Sequence, residues 1–94
     1  MQILAEPNSP YGNSSDREFK TVPAALRFMI RSYFEKAGTA RHVSIYEWTA
    51  PIVRIDFTDR DALVLTSGNI EGWEVGSVKT LDEAIALTKL VHKL

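Results

Sequence analysis

The chain contains no cysteine. That removes disulfide frameworks, thiolate zinc sites, iron–sulfur clusters and cysteine nucleophiles from consideration. Long apolar runs are missing too, and nothing approaches the roughly 18 residues of a membrane-spanning helix. The opening MQILA has a four-residue apolar patch with no basic residue before it, unlike a secretory leader. These absences lead to the expectation of a cytoplasmic protein with no membrane partner. Histidine is scarce, with only His42 and His92, far apart in sequence. No nucleophile–base–orienter set can be built around either, so the chain is not expected to be an enzyme. The glycines of SGNIEGWEVG lie between strand-like runs, whereas a phosphate cradle needs a helix start directly behind them. Asp59 and Asp61 flank Arg60 in a turn segment that offers too few oxygen ligands for a divalent ion. The expectation is therefore no cofactor and no metal.

What is present suits one folded domain. Ninety-four residues, 45% of them hydrophobic and 24% charged, fit a single unit over residues 1–94 with one modest core. MQILA reads as a short edge strand. Residues 6–19, PNSPYGNSSDREF with its flank, read as a long polar loop, because Pro7 and Pro10 restrict their neighbours and turn formers fill the rest. In TVPAALRFMIRSYFEKAG, Thr21 caps a helix, Pro23 fits the first turn and Gly38 supplies the stop. Val22, Ala25, Leu26, Met29, Ile30, Tyr33, Phe34 and Ala37 form its apolar stripe, and Phe28 lies roughly opposite.

Three strand-like runs follow: HVSIYEW at 42–48, PIVRIDF at 51–57 and ALVLTS at 62–67. GWEVGSV at 72–78 reads as a fourth. In KTLDEAIALTKLVHKL, Thr80 and Glu83 form a capping-box pattern for a second helix. The expected fold is α+β, order (β)αββββα. It is a two-layer sandwich in which an antiparallel meander of three to four strands carries both helices on one face. Alternation assigns Val43, Ile45, Val53, Ile55, Phe57, Leu63, Leu65, Trp73 and Val75 to the helix-covered face. Tyr46, Trp48, Ile52, Arg54, Asp56, Val64, Thr66 and Glu74 then fall on the other, which is less polar than a solvated sheet face usually is.

Charge is segregated although the net value is only −1. Residues 1–41 carry a balance of +2 and residues 42–78 a balance of −4. Such a layout bears on association rather than fold.

The order αβββα resembles that of double-stranded-RNA-binding domains, with VKTLDEAIALTKL where their second helix begins. Those domains place lysines at that helix start, whereas Asp82 and Glu83 stand here and repel phosphate. Nucleic acid is thus a secondary reading. The hairpin followed by T-x-x-E-A also resembles small antitoxin-type accessory domains. The leading expectation is a non-catalytic protein-binding module. Its candidate surface comprises Phe28, Tyr46, Trp48, Arg54, Asp56, Asp59, Asp61 and Glu74, aromatic anchors with charged rims. An acidic surface suits a partner with a basic one, such as a protein that handles nucleic acid. Small phage or mobile-element inhibitors, anti-CRISPR proteins among them, have this size and this lack of catalytic motifs. The competing account is packaging: residues 1–19 would cover Tyr46 and Trp48, and Phe28 would pack beneath them or in a homodimer.

Overall fold

Apolar and polar residues alternate along much of 42–47, 51–57 and 62–67, and the chain pleats in those three runs as the pattern demands. The computed structural model describes residues 1–6, 17–35, 41–59 and 61–91. Along them run β1 (Gln2–Glu6), β2 (Arg17–Phe19), α1 (Val22–Glu35), β3 (His42–Glu47), β4 (Ala50–Asp59), β5 (Ala62–Ser67), β6 (Val78–Thr80) and α2 (Leu81–Thr88). The strands form one antiparallel sheet in the order β2-β1-β3-β4-β5-β6.

Both helices begin where the sequence places their caps. The Thr21 hydroxyl accepts from the Ala24 amide at 3.3 Å, which satisfies one of the amides a helix start leaves over. At α2 the reciprocal pair is complete: Thr80 accepts from the Glu83 amide at 3.2 Å, and Glu83 accepts from the Thr80 amide at 3.1 Å. That bond from the Thr80 backbone holds the Glu83 carboxyl below its ordinary range, and the Thr80 hydroxyl adds to the effect.

α1 packs on β1, β2 and β3, while α2 packs on β5, β6 and α1. Their inner residues meet one sheet face in a single core. Leu26, Met29, Ile45, Ile55, Leu63 and Leu65 are fully enclosed. Each such side chain contributes about 1.5–3 kcal/mol through removal from water. Thr88 sits among them because its hydroxyl donates to the Ala84 carbonyl at 2.7 Å, leaving no polar atom unsatisfied.

Several sequence expectations need correction. The sheet has six strands, not three to four. β1 is internal, since β2 lies outside it and forms the edge. β2 itself falls inside the segment read as a loop over 6–19; residues 7–16, with Tyr11, lie outside the described residues, as do Gly38, Arg60 and His92. GWEVGSV is not a strand. Gly76 adopts φ +89 there, and its amide donates to the Leu65 carbonyl at 2.8 Å, so the backbone turns instead of extending. The last strand, β6, begins only at Val78.

Trp73 is buried as expected, its indole N–H donating to the Ser77 carbonyl at 2.9 Å. Val75 is 58% exposed and leaves the core face to which alternation assigned it. The turn between β3 and β4 also shifts: Trp48 and Thr49 form it, and Ala50 already belongs to β4.

Candidate functional site

The β3–β4 hairpin has a two-residue loop, and its first residue is a tryptophan with φ +60. A left-handed first loop position ordinarily goes to glycine, because a Cβ there crowds the backbone. Among the described residues Trp48 is the one non-glycine in this region of φ. Its side chain gains no burial in exchange, for it is 91% exposed. The strain at this position is therefore not offset by packing of the indole on the described residues.

Around Trp48 the fold gathers Met1, Gln2, Glu18 and Glu47, which with the indole line a concavity of about 480 Å³. Met1 is itself 55% exposed. Glu18 reaches this side because β2 alternates: Arg17 and Phe19 pair with Ala5 and Ile3 on the helix-covered face, so Glu18, opposite Leu4, points outward. The Gln2 amide donates to the Glu18 carboxylate at 3.1 Å and steadies it. The result is an apolar, aromatic spot bordered by two carboxylates.

The middle of the outer sheet face is polar but internally matched. Arg54 forks onto Asp56 with hydrogen bonds of 2.8 and 2.9 Å, and the Thr66 hydroxyl adds one of 2.6 Å. Burial alone would push the Asp56 carboxyl up. The bonds from Arg54 and Thr66, helped by the Arg54 charge and by His42, outweigh burial and hold it below its usual value. Arg54 is held above its ordinary value, first by the hydrogen bond to Asp56. One strand over, the Tyr46 phenol donates to Glu6 at 2.8 Å, and Glu6 lies 3.6 Å from the His42 imidazole. Register puts Glu6, His42 and Asp56 in one row across β1, β3 and β4. Ser44, between Leu4 and Arg54 in the next row, is only 2% exposed, although it faces away from the helices.

The residues singled out from sequence do not converge on one patch. Tyr46, Arg54 and Asp56 share the outer face. Trp48 stands at one end of it. Asp59 and Asp61 stand at the other, across the ten residues of β4, or about 30 Å. They belong to a turn closed by the Thr58 hydroxyl on the Ala62 carbonyl at 3.0 Å, and the Asp61 carbonyl accepts from Leu81, tying the turn to α2. Glu74 is exposed in the β5–β6 connection, where its carbonyl accepts from Ser77.

Phe28 lies on the helix side, half-buried, with its ring 5.2 Å from that of Phe19. Two acids beside Trp48, Glu18 and Glu47, do not belong to the candidate surface expected from the sequence. Glu47 ends a strand next to the tryptophan and was legible; Glu18 becomes a neighbour only through the β1–β2 pairing.

No helix among the described residues is long and apolar enough to cross a membrane, and among them no group of three or more His, Asp or Glu is placed to hold a metal ion. Comparison with protein-family models, with curated proteins and with solved structures finds no match for this chain.

Proposed function

We propose that the chain is a non-catalytic protein-binding module whose contact surface is centred on Trp48. The observation that carries this is a tryptophan held in the open at a position built for glycine, with Met1 beside it and Glu18 and Glu47 at its border. Tryptophan is the residue most enriched among interface anchors, and carboxylates around it favour a cationic partner. A lysine or arginine side chain laid on the indole face would also gain a cation–π contact. The partner is thus a protein with a basic surface, and inhibition of a nucleic-acid-handling protein by a phage or mobile-element product is one form such a module takes.

Titration with a labelled arginine-rich decapeptide tests this reading. The intact chain binds it saturably, and Trp48→Gly weakens binding at least ten-fold without lowering the melting temperature. Glu47→Lys weakens it further. Equal affinity in the Trp48→Gly protein, or a large fall in its melting temperature, overturns the reading.

A further inference from the structure

Arginine and lysine carry the same charge, but the surface around Trp48 does not offer them the same site. The indole stands 91% exposed at the tip of the β3–β4 hairpin, so a flat group can reach its face. Glu18 and Glu47, both exposed, share a concavity of about 480 Å³ with it, together with Met1 and Gln2. The two acids approach from different strands. Glu47 ends β3, and Glu18 sits on β2, on the far side of β1. One of them is already positioned, because the Gln2 amide donates to Oε2 of Glu18 at 3.1 Å. Acceptors thus stand at the border of the concavity, and an aromatic face lies within it.

We infer that this surface selects arginine over lysine in its partner, and that methylation of the arginine lowers the affinity; the inference rests on the reading of Trp48 as the centre of a contact surface. A guanidinium works in two directions at once. Its face stacks on an indole, while its N–H groups point outward in its own plane, towards carboxylates at the border. An ammonium has no flat face and no fork. Seated over the ring, this strongly hydrated point charge gives up part of its water without a matched pair of acceptors. Met1, 55% exposed, offers an apolar wall to the stem of either side chain and does not separate them. Asymmetric dimethylation replaces the hydrogens of one terminal nitrogen with methyl groups and keeps the charge. Stacking then survives, but the fork does not. Long-range attraction treats all three cations alike, so a difference among them reports contact geometry and not steering.

Fluorescence anisotropy tests the inference at about physiological ionic strength, near 0.15 M. The probes are three labelled decapeptides of equal charge, in which glycine alternates with arginine, lysine or asymmetric dimethylarginine. The intact chain binds the arginine peptide at least ten-fold more tightly than the lysine one, and the dimethylarginine peptide falls between them. Glu18→Gln combined with Glu47→Gln keeps the shape of the concavity and removes its charged acceptors, so the preference shrinks several-fold with the melting temperature held. Trp48→Gly removes it as well. Equal affinity for the arginine and lysine peptides, each lost in Trp48→Gly, overturns the inference and leaves the Trp48 surface standing. A preference that survives the double glutamine change also overturns it, as does dimethylarginine binding as tightly as arginine. Saturable binding of none of the peptides overturns both readings together.

Discussion

Arg54 and Asp56 stand two residues apart on β4, on the same face, and the guanidinium closes onto the carboxylate through both Nε and Nη2. The pair is intrastrand, so it braces one strand's outer face instead of joining two. Thr66 on β5 supplies the cross-strand link.

Acid should therefore loosen this face in a defined window. The folded carboxyl of Asp56 lies below its ordinary value, so its contribution is fully present above the unfolded value of about 4. It is lost as pH falls through the folded value. Urea midpoints measured across acidic pH should drop below about pH 4, and Asp56→Asn should show a lower neutral plateau with a shallower acid decline. An unchanged slope in Asp56→Asn would remove this pair from the acid response.

Trp48→Gly should hold or raise the melting temperature. Relief of a left-handed Cβ is worth about 1–2 kcal/mol, opposed by roughly 0.5–1 kcal/mol of extra chain entropy in glycine. Trp48→Ala keeps the backbone strain and removes no buried surface, so its change should stay within about 0.5 kcal/mol. Differential scanning calorimetry of both variants checks the pair.

Gly68 and Gly76 both have positive φ, at +96 and +89, yet they should respond differently to alanine. A Cβ on Gly76 meets nothing within 4 Å, so only the backbone term applies, about 1–2 kcal/mol. A Cβ on Gly68 would stand 2.3 Å from the Ile52 carbonyl oxygen and 2.7 Å from the Val53 Cα, both backbone. Gly68→Ala should cost clearly more, or prevent folding, while Gly76→Ala folds with a moderate loss by thermal melt.

Thr80→Ala removes the hydroxyl half of the α2 cap and should cost about 1 kcal/mol, a fall of about 4–8 °C in a domain of this size. Thr80→Ser, which keeps the acceptor, should recover most of it.

Where local pattern and tertiary need agree, the fold could be read ahead of the structure. Thr80 and Glu83 are three residues apart before an apolar stripe, and their bonds need nothing from elsewhere in the chain. Leu63 and Leu65 alternate and are buried. β2 could not be read this way, because three residues are too few for alternation to show and their strand state depends on pairing with β1. GWEVGSV misled for the opposite reason: its composition suits a strand, but glycines turn it, and Trp73 is buried through a bond to Ser77. For the candidate surface, Trp48 was legible as an aromatic out of place. Its exposure at a hairpin turn was not, since that follows from where β3 ends. Phe28 is equally visible as an anomaly, but its partner Phe19 lies in a segment whose composition reads as a loop.

β2 carries Arg17, Glu18 and Phe19 in immediate succession, and pleating sends the outer two to one side of the sheet and the middle one to the other. A slip of one residue would act on this strand as a frameshift acts on a codon. Glu18 would turn to the side where Arg17 now lies over Phe28 and lower the positive charge there, while Arg17 or Phe19 would surface beside Trp48. A single insertion or deletion between β1 and β2 that shifts the pairing would thus weaken the charge on both sides of the strand at once, with the core residues of both helices left in place.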